Sequence, residues 1–117
     1  MIEELVAKVF ATRNAAHIAH WASKSFSQHS ALGDFYDALI DKIDAIVETC
    51  QGAHGLIGDV PSEVVPPRTI TEHIAEEAQW IEDNREDIAN GCKAVENLLD
   101  DLTATYLTTY YKLTNLR

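Results

Sequence analysis

The stretch His29-Ser-Ala-Leu-Gly-Asp-Phe-Tyr-Asp-Ala-Leu-Ile-Asp-Lys-Ile-Asp-Ala-Ile-Val-Glu48 carries two stripes at the spacing of an α-helix. Its apolar positions, continued to residue 50, recur every three or four residues with one adjacent pair, which predicts a buried face. They are Leu32, Tyr36, Leu39, Ile43, Ile46, Val47 and Cys50. Carboxylates follow the same intervals on the opposite side: Asp34, Asp37, Asp41, Asp44 and Glu48. The stretch therefore predicts a long amphipathic helix with an acidic outer face.

Length and composition indicate one all-α domain. The chain has 117 residues, 46% of them apolar, with only five Gly and three Pro, and no strand-like alternation stands out. Its net charge of −10, with nine basic residues, repels phosphate and argues against nucleic-acid binding. An acidic surface instead attracts cations.

No targeting or membrane signal stands out in the sequence. Met1-Ile-Glu-Glu has the wrong charge for a signal peptide, and no run approaches the roughly 20 apolar residues that cross a membrane. We therefore expect a cytoplasmic protein, in which Cys50 and Cys92 are reduced thiols in or near the core. If the chain is exported, a disulfide between two helices is the alternative.

The first half of the chain predicts two helices. Residues 2 to about 25 form the first, with one broad face made of Ile2, Leu5, Val6, Val9, Phe10, Ala16, His17, His20 and Trp21. The serine-rich stretch 23–28 predicts a turn. The second helix begins near His29 or Ser30, a possible N-cap, and reaches about Ala53, where Gly52 and Gly55 favour a C-terminal stop.

The connection 54–69 contains Pro61, Pro66 and Pro67 and cannot be helical throughout. Sixteen extended residues span roughly 50 Å, whereas a helix of about 24 residues is only about 36 Å long. The connection can therefore cross the bundle and deliver the third helix parallel to the second. This is the crossover topology of a ferritin-like four-helix bundle.

The second half predicts the remaining two helices. A capping box, Thr69-Ile-Thr-Glu72, opens the third, and a seven-residue repeat follows it: Ile74, Ile81, Ile88, Val95 and Leu102. Two breaks compete, at Asn90-Gly91 and at about Asn97 to Asp101. We prefer the second, with Asp100 or Asp101 capping a fourth helix that reaches about Asn115. Trp80, Tyr106, Tyr110 and Tyr111 are interpreted as core or interface aromatics without chemistry.

Metal ligation is the chemistry that the residues favour most. A di-iron centre inside a bundle needs Glu-x-x-His pairs, and the sequence has none. His17 and His20 share one helix face and could ligate a metal or simply be half-buried. Asp44 and Glu48, at i,i+4, could hold Fe(II) with His29 or His20, although a carboxylate stripe is more often a solvated face. No nucleophile or phosphate-binding motif occurs.

His20-Trp21, His29 and the segment Ala38-Leu-Ile-Asp-Lys-Ile-Asp-Ala-Ile-Val-Glu48 together resemble the Dps family of mini-ferritins. The resemblance covers residues 13–53 best and 70–117 more weakly. It implies a ferritin-like bundle and an iron site between two subunits, where peroxide or oxygen oxidises Fe(II). The implied ligands are His20, His29, Asp44 and Glu48. The resemblance also implies a homo-oligomer, at least a dimer and commonly a twelve-subunit cage, that stores ferric iron in stress protection.

The chain departs from the family pattern at one ligand. The family has Asp four residues after its second His, where this chain has Gly33; Asp34 or Asp37 could substitute. The gap from His20 to His29 is also about three residues shorter than in the family. Two alternatives therefore stay open: a ferritin-like bundle that lost the metal site and acts as a structural or partner-binding protein, and an acidic adaptor that binds a basic partner.

Overall fold

The structure, a computed structural model, describes residues 1–116 as a bundle of four helices. The helices are α1 (Ile2–Ala22), α2 (Phe26–His54), α3 (Ile70–Ala89) and α4 (Lys93–Asn115). A 3-10 turn, Pro67–Thr69, precedes α3. Residues 1–116 contain no strand. The predicted all-α four-helix bundle is confirmed.

The predicted crossover is present between α2 and α3. Nε2 of His54 donates to the carbonyl of Ala89 (3.1 Å), so α2 and α3 end at the same pole of the bundle. The Gln28 amide donates to the carbonyl of Leu113 (3.4 Å), so α4 ends where α2 begins. The two helices α2 and α3 are therefore parallel. Because the 20 residues of α3 extend about 30 Å, the connection has to return along most of the 44 Å length of the molecule.

The crossover runs along α1. The Gly58 amide donates to the Glu3 carboxylate (2.7 Å), and Lys8 pairs with Glu63 (3.8 Å). Both contacts lie at the surface, so they position the connection beside α1 but contribute little to stability.

The apolar stripe of α2 faces the core as predicted. Leu32, Leu39, Ile43, Ile46 and Cys50 are buried, and Tyr36 and Val47 are half-buried. The opposing helices supply Leu5, Val9, Ile74, Ile81, Val95, Leu99 and Leu102, all fully buried. All five carboxylates of the acidic stripe are exposed. The face predicted for α1 is only partly correct, because Phe10 and Trp21 are 46% and 68% exposed.

The turn between α1 and α2 is shorter than predicted. Helix α1 ends at Ala22, and α2 begins at Phe26 because the Ser25 hydroxyl accepts from the Gln28 amide (3.4 Å) and caps the helix. Ser30 therefore lies inside α2 and does not cap it. At the far end Gly55, with φ +96°, ends the helix where expected.

The break between α3 and α4 lies at Asn90-Gly91, so the prediction of a break at 97–101 is wrong. Asn90 adopts a left-handed conformation (φ +47°) and donates its amide to the carbonyl of Glu86, and Gly91 follows at φ +85°. Asp100 and Asp101 do not cap a helix. They pair with Arg85 (2.6 Å) and Lys42 (2.7 Å) and link α4 to its neighbours.

The predicted capping box at α3 does not form. Thr69 stands at the N-cap, but its hydroxyl donates backwards to the carbonyl of Pro66 (3.0 Å). The preceding 3-10 turn presents that carbonyl, and Glu72 is exposed. Proline geometry therefore decides how α3 begins.

No helix in the described range 1–116 is long and apolar enough to cross a membrane. Both cysteines carry free thiols, Cys50 buried and Cys92 half-buried.

Candidate functional site

Two of the predicted ligands, His20 and His29, lie face to face where α1 ends and α2 begins. Their ring centroids are 3.6 Å apart and the ring planes are inclined by only 20°. Nδ1 of His20 donates to the carbonyl of His29 (2.5 Å), and Nδ1 of His29 donates to the carbonyl of His20 (2.8 Å). The three-residue turn brings the helix ends close enough for this exchange. Each histidine therefore fixes the backbone of the other.

These hydrogen bonds set the chemistry of both rings. A carbonyl only accepts, so Nδ1 of each ring carries the proton, and the neutral imidazole then has its lone pair at Nε2. Neither Nε2 makes a hydrogen bond within residues 1–116. Histidines that ligate metals commonly have this arrangement, in which the second ring nitrogen donates to a carbonyl.

Gly33 lies directly behind His20. A Cβ at position 33 would lie 3.0 Å from Cε1 and 3.1 Å from Nδ1 of His20. Such a contact is closer than ordinary van der Waals distance, so the missing side chain makes room for the imidazole. Gly33, the residue that departs from the Dps pattern, thus leaves the space that the His20 ring occupies. An Asp side chain at position 33 would compete with His20 for this space.

An aromatic layer continues from the histidine pair along α1 and α2. His17 stacks on Tyr36 (4.0 Å between centroids, 14° between planes) and also contacts Trp21 (4.3 Å). The Arg13 guanidinium lies 5.1 Å from the Tyr36 ring. Desolvation lowers the pKa of His17, and the neighbouring charges of Arg13 and His20 lower it further. His17 is therefore suited to packing as a neutral ring.

The carboxylates Asp44 and Glu48 lie far from the histidine pair within one chain. They are exposed and one turn apart on α2, but fifteen residues of helix separate Asp44 from His29, about 22 Å along the axis. Asp34 and Asp37, the possible substitute ligands, lie between them and are also exposed. In the part of the chain that the structure describes, no three His, Cys, Asp or Glu residues converge on one point. Residues 1–116 of a single chain therefore do not bring the predicted ligands together.

A buried polar network around Glu77 was not anticipated from the sequence. The Glu77 side chain is 3% exposed, and Oε2 accepts from the hydroxyls of Thr12 (2.7 Å) and Tyr106 (2.5 Å). Oε1 accepts from Nε2 of His73 (3.0 Å), which also lies 2.8 Å from the Thr12 hydroxyl. Helices α1, α3 and α4 thus meet at one carboxylate. Burial and the nearby Glu77 carboxylate raise the pKa of Tyr106 well above its ordinary value.

A sequence signal for this network existed. Glu77 follows Ile74 by three residues and precedes Ile81 by four, so it lies on the apolar face of α3. Thr12 has the same relation to Val9 and Ala16 on α1. Since both Glu77 oxygens already accept hydrogen bonds, the network is best explained as a satisfied polar contact inside the core.

Comparison with known proteins gives one match. The model of a family of unknown function, DUF5856, matches residues 20–113, a range that begins at His20 and includes α2, α3 and most of α4. No curated protein and no solved structure matches the chain significantly.

Proposed function

The chain belongs to the DUF5856 family, whose function is unknown, and we propose that it is a Dps-like iron-binding protein that oxidises Fe(II) at a site shared between two subunits. The observation that carries the proposal is the histidine pair. His20 and His29 hold each other through Nδ1 and keep both Nε2 atoms without a hydrogen bond in residues 1–116. Imidazole nitrogen together with carboxylate oxygen is a donor set that suits iron.

A second copy of the chain supplies the carboxylates. If two α2 helices pack antiparallel across a two-fold axis near residues 36 and 37, His29 of each copy lies beside Asp44 of the other. This symmetry brings a histidine pair and an Asp44–Glu48 pair together at each end of the interface. The two ends lie about 22 Å from each other along α2. The exposed apolar side chains Phe10 and Ile40, 46% and 39% exposed, flank this surface and favour association.

Electrostatics favours a cation between the two copies. Antiparallel α2 helices would bring two acidic stripes together, and like charges at short distance repel. Fe(II) ions bound at each end would offset that repulsion. Asp44 and Glu48 would anchor the cation, and Asp34 would take the place of the ligand absent at Gly33. Asp37, the other acidic residue suggested by the sequence, would lie at the two-fold axis, about 12 Å along α2 from His29.

The stacking of the histidines favours their binding to different ions. A ligated ion lies in the plane of its imidazole, about 2 Å from the nitrogen. The two ring centroids are 3.6 Å apart and the ring planes are inclined by only 20°, so the planes do not meet within that distance. His20 and His29 would therefore each serve one of two neighbouring ions. Two Fe(II) supply the two electrons that reduce one H₂O₂ to water with two protons, and the ferric product is stored by the oligomer.

Peroxide-driven oxidation tests the proposal. Anaerobic Fe(II) is mixed with the protein, peroxide is added, and the ferric species is followed by its ultraviolet absorbance. The proposal predicts oxidation well above the rate in buffer, lost in Asp44→Ala/Glu48→Ala. Glu82→Ala/Glu86→Ala is the matched control, because it removes two exposed carboxylates at the same i,i+4 spacing on α3 and should keep the rate. A wild-type rate equal to that of buffer contradicts the proposal.

A second candidate function follows from Gly33. The His20 ring fills the space beside this position, so the chain has no ligand where the Dps pattern has one. This favours a helical bundle that lost the metal site and binds a partner through its acidic stripe. A slow oxidation rate with unchanged folding in every variant above would support this function.

A further inference from the structure

A cavity with an apolar floor lies at the pole where α1 ends and α3 begins. Its volume is about 540 Å³, which falls within the usual range for small-molecule sites. The floor is apolar and buried, formed by Ala19, Leu32, Ile70 and Leu113. Lys24 and Arg68 stand at the rim and are exposed. The cavity thus combines an apolar floor with a cationic rim.

The charge of this rim is opposite to that of the chain as a whole. The sequence has nineteen Asp and Glu against nine Lys and Arg, yet among residues 1–116 two basic residues and no acidic residue line the cavity. Neither Lys24 nor Arg68 forms a salt bridge with another of the residues 1–116. Arg68 also borders a neighbouring groove that contains Glu72 and Glu76, but it pairs with neither. Both cations are therefore available to an anion from outside the chain.

We propose that this cavity binds a medium-chain alkyl carboxylate. The alkyl tail would cover the apolar floor, and the carboxylate would lie between Lys24 and Arg68. Thr71, which also lines the cavity, can donate a hydroxyl hydrogen bond to the same head group. Each methylene that leaves water adds roughly fourfold to affinity, so the tail supplies binding and the rim selects an anion.

Three small probes separate the two contributions in metal-free protein. Octanoate has both tail and charge, 1-octanol has the tail alone, and acetate has the charge alone. Titration followed by two-dimensional amide NMR should give saturable shifts for octanoate at Ala19, Leu32 and Thr71. Octanol should bind about tenfold more weakly, because it loses two partly exposed ion pairs. Acetate should not saturate.

Charge variants at the surface complete the test without disturbing the core. Lys24→Gln/Arg68→Gln should weaken octanoate about tenfold and leave octanol unchanged. Lys93→Gln removes an exposed lysine at the opposite pole and should leave both ligands unchanged. Octanoate shifts that do not saturate, that lie outside the cavity, or that are equally strong in the double variant would overturn the proposal. Because no iron is present, this outcome is independent of iron oxidation.

Discussion

Gly33 shows how one missing side chain can decide the geometry of a candidate site. Glycine inside a helix ordinarily lowers stability relative to alanine by about 1 kcal/mol. Here a Cβ at position 33 would lie only 3.0 Å from the His20 ring. That ring is held by its hydrogen bond to His29 and by stacking. The helical cost of glycine is therefore offset by the space it leaves for the histidine pair.

A matched pair of substitutions in α2 tests this role of Gly33. Gly52→Ala should raise the free energy of unfolding by about 0.5–1 kcal/mol, because a Cβ at position 52 meets nothing within 4 Å. Gly33→Ala should give no such gain, since the new Cβ displaces the His20 ring. Urea unfolding measures both changes. In a His20→Ala protein, where the ring is absent, Gly33→Ala should stabilise about as much as Gly52→Ala does in the wild type. Equal stabilisation by the two alanines would show that His20 is not seated against Gly33.

The Glu77 network gives a second prediction at the level of single residues. Glu77→Gln keeps the volume but turns one acceptor into a donor that faces hydroxyl groups or the His73 ring. Leaving buried groups unsatisfied should lower the free energy of unfolding by about 1–3 kcal/mol. Tyr106→Phe combined with Thr12→Val and Glu77→Leu should recover much of this loss, because replacing a whole buried network costs less than breaking it.

Urea unfolding of these variants tests whether the Glu77 network stabilises the fold. A Glu77→Gln variant with unchanged stability would indicate that Glu77 is not held by three donors. The exposed substitution Glu76→Gln, one residue away on α3, controls for charge removal and should leave stability nearly unchanged.

The helices themselves were well predicted because their apolar spacing follows directly from helix geometry. The buried face of α2, the number of helices and the crossover all came from spacing, proline positions and chain length. The α3–α4 boundary did not, because the seven-residue repeat of Ile74, Ile81, Ile88, Val95 and Leu102 continues through it. Two antiparallel helices that face one core keep a common pattern across a tight turn, so local backbone conformation places the break at Asn90-Gly91.

The left-handed backbone at Gly91 is needed for the turn between α3 and α4. Gly91 lies at φ +85°, a conformation that costs an L-residue about 1–2 kcal/mol. Gly91→Ala should therefore lower the free energy of unfolding by about that amount, whereas Asn90→Gly, at φ +47°, should be neutral or slightly stabilising. Chemical denaturation with circular dichroism measures both. No loss in Gly91→Ala would argue for a continuous helix across residues 90–92.

Across the whole molecule, the sequence predicted that the acidic stripe of α2 lies outside the core, but not how residues of different helices come together. His20 and His29 meet because a turn of three residues, not six, separates their helices. The carboxylates of Asp44 and Glu48 lie about 22 Å along α2 from that pair, a distance that the periodicity already fixed. The Glu77 network was not predicted because its partners Thr12 and Tyr106 lie on other helices. The apolar periodicity of α3 alone does not show which side chains meet Glu77.

An iron site shared between two copies of the chain can be tested by complementation between two inactive variants. One variant, His20→Ala/His29→Ala, keeps the carboxylates, and the other, Asp44→Ala/Glu48→Ala, keeps the histidines. Each alone should oxidise Fe(II) no faster than buffer. Refolded together in equal amounts, they should recover about a quarter of the wild-type rate, since half of the dimers are mixed and each contains one intact site. No recovery from a mixture that does form dimers would contradict a shared site.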